Sequence, residues 1–531
     1  MLFNSPEFIF GFLPITLLGF FLASRFSSIR GGMVWLIAAS LFFYSLWNPV
    51  NLLLLLASIL VNYWVSIWIG RSQAAIKSVA LTIGIIFNLG LLGYFKYADF
   101  LLSTVTALTG TAFDLGKIIL PIGISFFTFQ QIAYLVDRYR EKIPSYSFFE
   151  YLTFITCFPY LISGPLLKID QIIPQYFQPH FSQFNWENLT IGLTMFSIGL
   201  FKKMGLADQV APYANQIFDA AASGTSLTFV EGWLGALAFT LQLYFDFSGY
   251  SDMAIGIARM FGLILPANFA SPYKAENIVN FWRQWHITLS NFLRDYLYIP
   301  LGGNRKGELR RSLNLLITML LGGLWHGAGW NFVFWGGLHG VYLTVNHGWR
   351  TFRQKGLKQD LTQRSKWGVL SSLITFLFVT ISWVFFRADS FGTAIAVLKS
   401  MTGFNGLSLP EDWADTLGFL QPLGVQFNDL MPNITIEIAG LEEAESIDPI
   451  VPLRTVGALL LFVWLMPNTQ QWLIQHRPTL SPTPEFTTFG SRIGQLLQWR
   501  PNAFWAVFCG ILTVAALLNL AKVSEFLYFE F

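Results

Sequence analysis

Uncharged, apolar windows of 17 or more residues recur along this chain, at 8–24, 31–70, 78–95, 118–136, 151–167, 312–349, 367–386, 455–476 and 502–521. A helix needs ~20 apolar residues to cross the ~30 Å hydrocarbon core of a bilayer. Only folds that satisfy their own backbone polar groups persist at that depth. The pattern therefore restricts the chain to an all-α, polytopic membrane fold. The charge content agrees, since 12% of the 531 residues are charged, against ~25% in a soluble domain. The 31–70 window is broken by Trp47-Asn48-Pro49 and reads as a helical hairpin. Windows 188–201 and 232–245 have 14 residues each and read as short, tilted or re-entrant helices, or as helices extending past a flanking charge. About 11 transmembrane helices are expected, with re-entrant and interfacial helices beside them.

Loop charge predicts sidedness. One face collects Arg25, Arg30, Arg71, Lys77, Arg138, Arg140 and Lys142, then Arg350, Arg353, Lys355, Lys358, Arg364 and Lys366, then Arg477, Arg492 and Arg500. That face is expected to be cytoplasmic, with the N-terminus on the opposite side. The N-terminal apolar run lacks a basic n-region and a clean cleavage site, so it reads as a first span. The segment 388–452 holds ten acids and one base, Lys399, and is expected to be extracytoplasmic. Its acids are Asp389, Glu411, Asp412, Asp415, Asp429, Glu437, Glu442, Glu443, Glu445 and Asp448. Between Arg138 and Arg259 the number of crossings must be even, yet three candidates lie near 151–167, 188–203 and 232–247. One of them is expected to be re-entrant. The net charge of +3 carries no nucleic-acid signature. Cys157 and Cys509, in apolar runs, form no disulfide framework.

The chemistry concentrates in 281–340, where His286 and His326 lie among tryptophans and glycines. Trp282, Trp285, Leu289, Leu293 and Tyr296 recur at helical spacing, with His286 on the same face and Ser290 one turn on. Arg283, Arg294, Arg305 and Lys306 flank this stretch. Such a basic amphipathic helix either lies on the membrane surface as an anchor or contributes to a site. His326 falls in a run without Lys, Arg, Asp or Glu, and ionisable groups in such settings are costly unless used. The chain from Ser312 to Trp325 rises ~21 Å as a helix, meets the breaker run His-Gly-Ala-Gly-Trp-Asn and returns to Arg350. His326 is therefore expected at the tip of a hairpin inside the membrane. Gly322, Gly323, Gly327 and Gly329 read either as the wall of a narrow channel or as helix-packing contacts. Burial disfavours a charged imidazolium, which leaves a neutral base able to take a hydroxyl proton during attack on an activated acyl carbon. No zinc-ligand spacing, no G-x-S-x-G elbow and no Walker motif occur. A third feature, Gln242 to Asp252, places polar groups, Asp246 and Ser248 among them, where a turn is expected; they either line a cavity or fix a helix break.

At PIGISFFTFQQIAYLVDRYR (121–140), FITCFPYLISGPL (154–166), LQLYFDFSGYSDMAIGIARMFGL (241–263), FWRQWHITLSNFLRDYLYIPLGGN (281–304) and LLGGLWHGAGWNFVFWGGLHG (320–340) the chain resembles the membrane-bound O-acyltransferase family, in its bacterial alginate O-acetyltransferase-like branch. The resemblance implies a ring of helices around a central tunnel, with a cytoplasmic donor entry and an outer acceptor pocket. It places the family's catalytic histidine at His326 and a second catalytic position at His286. It implies donor contacts from Arg283, Trp285, Ser290, Arg294, Arg305 and Lys306. The tunnel lining it implies comprises Gln242, Asp246, Ser248, Trp282, Trp325 and Asn331. It implies acetyl-CoA or another acyl thioester as donor substrate, with no bound cofactor or metal. The acceptor would be a hydroxyl on a polysaccharide or on a periplasmic acetyl-relay protein. The implied organisation is a core over 1–387 with its catalytic region at 241–350, the acidic outer segment 388–452, and closing helices over 453–531 in the bacterial inner membrane. The alternative is a transporter or flippase of a saccharide or acyl intermediate, which often shows repeats; none is found here.

Overall fold

The computed structural model describes residues 1–111, 116, 118–178, 181, 183–358, 367–427, 450–480, 497–519 and 526–527. Within these the regular structure is helical apart from a short parallel strand pair, Leu407–Leu409 with Val425–Phe427. Five continuous helical stretches combine the length and apolarity of a membrane span: Glu7–Phe26, Pro49–Arg71, Ala74–Thr109, Trp186–Ala222 and Gly368–Arg387. Ile29–Ser45, Phe391–Met401, Ile450–Leu465 and Ala503–Leu517 are apolar but shorter. The hairpin predicted at Trp47-Asn48-Pro49 is present. Asn48 accepts a hydrogen bond from the Val50 amide while Pro49 opens the next helix, a position where its missing N–H costs nothing.

The stretch 151–167 is the non-crossing member of the three candidates. It forms Phe148–Thr156 and Phe158–Leu161 and is then irregular to Lys168. Nine helical residues rise only ~14 Å, far short of a bilayer. Every residue from Thr153 to Leu167 is buried, so protein covers the irregular backbone. The second candidate is far longer than its apolar window suggested. Trp186–Phe201 continues through a π-helical turn, Lys202–Ala207, into Asp208–Ala222. Two ion pairs, one buried and one partly buried, make this possible: Lys203 Nζ lies 2.7 Å from Asp246 Oδ1, and Lys202 Nζ lies 2.6 Å from Asp252 Oδ2.

Both acids belong to the central helix, Phe229–Met260, which is buried almost continuously from Leu234 onward. The turn expected at Gln242–Asp252 is therefore absent. The polar run stays helical because its charges find partners on the neighbouring helix and because glycines let that helix come close. A Cβ at Gly199 would lie 2.5 Å from the Gly249 carbonyl, and one at Gly192 would lie 2.6 Å from that of Gly256. The central helix feeds two large apolar clusters, one with its Leu234–Phe247 half and the other with its Tyr250–Met260 half. A small third cluster of Phe126, Leu166, Leu289, Leu293 and Trp325 lies at the site.

The segment 388–452 begins with a helix packed on the protein body. Phe391–Met401 buries Ala394, Val397 and Met401 and is tied to the central helix by Trp233 Nε1 donating to the Met401 carbonyl at 2.9 Å. Asp429, Glu437, Glu442, Glu443, Glu445 and Asp448 lie outside the described residues, as do Arg364, Lys366 and Arg492.

Candidate active site: a buried histidine pair between two cavities

His326 is the last residue of the Gly307–His326 helix, which turns back through Gly327–Gly329 into Trp330–Thr351. The predicted hairpin tip is thus where the histidine sits, with 5% of its surface exposed. Gly323 and Gly336 bring the two arms together: a Cβ on Gly323 would sit 2.2 Å from the Phe332 carbonyl, and one on Gly336 2.2 Å from that of Met319. Of the two readings of these glycines, helix packing is the one that describes Gly323. The His326 ring rests edge-on against Trp335 and Phe386, at centroid distances of 5.2 and 5.5 Å.

His286 lies 6.3 Å from His326, centroid to centroid, and is fully buried. The continuous helix expected from Trp282 to Tyr296 breaks at this residue. Ile278–Trp282 ends, His286 adopts a left-handed backbone (φ 42°), and Ile287–Leu293 starts afresh. Asn268 explains the break. Its main-chain carbonyl accepts from the Ile287 amide at 2.9 Å, and its side-chain Oδ1 accepts from the Thr288 amide at 3.3 Å and the Thr288 hydroxyl at 2.9 Å. The first amides of the new helix are thereby satisfied from outside it. The same Oδ1 lies 3.1 Å from His286 Nδ1. Because the Thr288 N–H must meet an oxygen, the amide orientation is fixed, and Nδ1 must be the protonated nitrogen. His286 therefore carries its lone pair on Nε2. Asn268 Nδ2 in turn donates to Ser251 Oγ on the central helix at 3.2 Å.

Two cavities lie near Trp325. It packs against Phe126 and Phe129 as well as both histidines, at centroid distances from 5.0 to 6.1 Å. One cavity, about 280 Å³, is lined by Trp47, Asn48, Asn51, Lys96, Ser125 and Ser163 among others. The other, about 80 Å³, is lined by Gln130, Lys168, Gln171, Thr288, Asn291 and Tyr296 among others. The helix Ile124–Tyr139 runs between them, with Ile124–Phe126 at the larger cavity and Gln130 and Ala133 at the smaller. Its far end carries Arg138 and meets the basic rim, where Lys77 pairs with Glu141 at 2.6 Å and Lys168 with Asp295 at 3.0 Å.

The residues singled out in the sequence fall into groups. His286, His326 and Trp325 come together. Trp282 donates from Nε1 to His339 Nδ1 at 3.3 Å, and His339 Nε2 then donates to Ser382 Oγ at 2.9 Å, whose proton goes to the Val379 carbonyl. His339 is thus a fully bonded structural ring. Trp285 is buried in stacking contact with Phe281 and Tyr273. Asp246 holds Lys203, and Asn331 Nδ2 donates to the Ala388 carbonyl at 2.8 Å. Gln242 and Ser248 are buried on the central helix, and Ser290 is half-buried. Arg283, Arg294, Arg305 and Lys306 are exposed and line neither cavity. Asn268, Thr288, Lys96 and Lys168 escaped the sequence reading. Thr288 lies two residues from His286 inside the 281–304 motif, but Asn268, Lys96 and Lys168 are brought to the site only by folding.

The fold is that of a helical membrane protein with a histidine pair buried inside its helical body. The profile of the membrane-bound O-acyltransferase family matches residues 124–386. The chain is 46% identical over 436 residues to the peptidoglycan O-acetyltransferase of Helicobacter pylori, covering 77% of this chain and 81% of that one. It is 36% identical over 541 residues to the probable alginate O-acetylase AlgI of Pseudomonas putida, covering the whole of both chains. To the probable alginate O-acetylase AlgI of Pseudomonas aeruginosa it is 40% identical over 424 residues, 77% of this chain and 76% of that one. The chain belongs to the membrane-bound O-acyltransferase family and is an acyltransferase, which displaces the transporter reading.

Proposed function

We propose that this enzyme moves an acetyl group from a cytoplasmic thioester, acetyl-CoA, to a hydroxyl on the outer side of the inner membrane. The acceptor hydroxyl belongs to an extracytoplasmic glycan or to a periplasmic relay protein that later modifies one. The relatives named for peptidoglycan and for alginate differ in polymer, so the acceptor is put no more finely than this. The carrying observation is the His286–His326 pair, 6.3 Å apart behind Trp325, with one cavity towards the basic rim and another away from it. The basic rim supports a cytoplasmic assignment for that side, which puts the N-terminus outside.

In this reading His326 takes the proton of the acceptor hydroxyl as its oxygen attacks the thioester carbonyl. The tetrahedral intermediate collapses with loss of the thiolate, which takes the proton back from His326. His286 directs its Nε2 lone pair towards the reacting centre and stabilises the charge that His326 acquires. Arg283, Arg294, Arg305 and Lys306, exposed on the basic side, attract the donor phosphates. Replacing His326 by Ala in folded, bilayer-reconstituted enzyme should lower acetyl transfer by about 10²–10⁴-fold, the range for losing a general base. His286→Ala should cause a large loss and His286→Gln a smaller one. Full activity in the His326 variant ends the base assignment.

A further inference from the structure

The stretch PIGISFFTFQQ ends on two successive glutamines, and the fold treats them differently. Both lie on the helix Ile124–Tyr139 and both are buried, Gln130 at 2% exposure and Gln131 at 0%. Gln131 faces the helices Pro49–Arg71 and Phe148–Thr156, and both its polar atoms are paired. Its Nε2 donates to Ser58 Oγ at 3.0 Å, and its Oε1 accepts from the Tyr151 hydroxyl at 3.1 Å. Gln130 instead lines the 80 Å³ cavity. Among the described residues neither its Oε1 nor its Nε2 has a hydrogen-bond partner. A primary amide buried without partners destabilises a fold. A glutamine in that condition at a cavity wall calls for something other than the fold to supply its bonds.

Its position along the helix indicates what that is. Phe126, Gln130, Ala133 and Asp137 recur at offsets of three and four and share one helix face. Phe126 packs against Trp325, which touches both histidines, at a centroid distance of 5.5 Å. Gln130 follows one turn later, ~6 Å along the axis towards the basic rim. Ala133 lines the same cavity, and Asp137 at the rim end accepts from the hydroxyl of Tyr296, another residue of the cavity wall. A carboxamide offers a carbonyl acceptor and N–H donors, so its full complement is a ligand that carries both an N–H and a carbonyl. Phosphates and ribose hydroxyls carry no such combination. The pantetheine arm of a CoA thioester does, with two amides in an otherwise aliphatic chain.

We propose that Gln130 is a donor-binding residue: its Oε1 accepts from the N–H of the pantetheine amide nearest the sulfur, and its Nε2 donates to a carbonyl of the same arm. Two methylenes part that amide from the sulfur, a reach comparable with the single helical turn between Gln130 and the Phe126 contact with Trp325. An arm gripped there places its thioester carbonyl at the histidines. The proposal rests on the reading above in which a thioester enters from the basic side.

The test is calorimetric titration of the purified full chain in detergent with acetyl-CoA and with its depsi analogue, in which an oxygen replaces that amide nitrogen. Wild type should bind the analogue at least about tenfold more weakly, because a site built around a substrate N–H is left with an unpaired acceptor. Gln130→Met should bind the two donors alike. Gln131→Met, which breaks the bonds to Ser58 and Tyr151, should melt at a lower temperature and still prefer acetyl-CoA. Equal binding of the two donors by wild type overturns the proposal, as does a full preference in Gln130→Met. Should either variant fail to fold, the wild-type comparison still decides. A wild type that binds neither donor defeats the thioester reading itself, whereas equal binding of both defeats the role of Gln130 alone.

Discussion

Removing the Asn268 side chain should cripple catalysis while leaving donor affinity nearly intact. The amide makes four hydrogen bonds: to His286 Nδ1 at 3.1 Å, the Thr288 amide at 3.3 Å, the Thr288 hydroxyl at 2.9 Å and Ser251 Oγ at 3.2 Å. All lie in a site closed to solvent, since Asn268 and His286 are both 0% exposed. Each buried donor left without a partner costs about 1–3 kcal/mol. The Thr288 hydroxyl can rotate to a new acceptor, which leaves two fixed donors stranded and about 2–6 kcal/mol at stake. The His286 ring escapes its share by turning over or by moving its proton to Nε2, and either change removes the lone pair from the place it is needed. Misplacing a catalytic group by ~1 Å is enough to cost ~10²-fold, equivalent to about 2.7 kcal/mol of barrier. In bilayer-reconstituted enzyme, with thiol release from acetyl-CoA as the assay, Asn268→Ala should lower kcat about 10²-fold and shift the donor KM by less than about threefold. Asn268→Asp keeps an oxygen facing the same three donors and should recover at least about tenfold of the loss. A folded Asn268→Ala enzyme with normal kcat would refute the argument. So would an Asn268→Asp enzyme no better than the alanine variant, because a merely space-filling role would not distinguish them.

Two further predictions concern stability and packing. Lys203→Met strands the Asp246 carboxylate and should destabilise the protein by about 3–5 kcal/mol, with most of that recovered in Lys203→Met/Asp246→Leu; thermal unfolding in detergent reads both, and a stable single variant would show that the pair is not what keeps 186–222 continuous. Gly323→Ala puts a methyl 2.2 Å from the Phe332 carbonyl, whereas Gly322→Ala meets only the Leu293 side chain at 3.2 Å. The first should therefore cost about 1–3 kcal/mol and lower transfer by displacing His326, while the second stays near wild type; equal melting temperatures would sink the close-packing account.

The legible part of this protein is what hydropathy and chain breakers encode locally. The hairpin at Trp47-Asn48-Pro49 and the tip at His326 followed from apolar run length and from residues that cannot continue a helix. Of the readings open for the 188–201 window, extension past a flanking charge is the one the fold adopts, although Lys202 and Lys203 look like the end of a span. In the fold they pair with Asp252 and Asp246, Lys203 fully buried and Lys202 partly so, and helix continues to Ala222. The helix through His286 was misjudged. Its side-chain periodicity is sound, and Trp282, Trp285, Leu289 and Leu293 are all buried. Periodicity reports which side chains face inward, however, and says nothing of an Asn268 that takes the backbone amides of Ile287 and Thr288 out of the ladder.

By itself the sequence determined that this chain lives in a membrane as helices and that one titratable ring sits at a turn within an apolar hairpin. Those properties depend on residue types at short spacings, and the bilayer enforces them segment by segment. Tertiary structure alone decided which charges may be buried, where the helix at His286 breaks, which nitrogen of that ring keeps its lone pair, and that Lys96 caps the end of the other histidine's helix. Each of these is a pairing between groups far apart in the chain, such as Lys96 with Trp325 and Lys203 with Asp246. The free energy of such a pairing exists only once both partners have been taken out of water together.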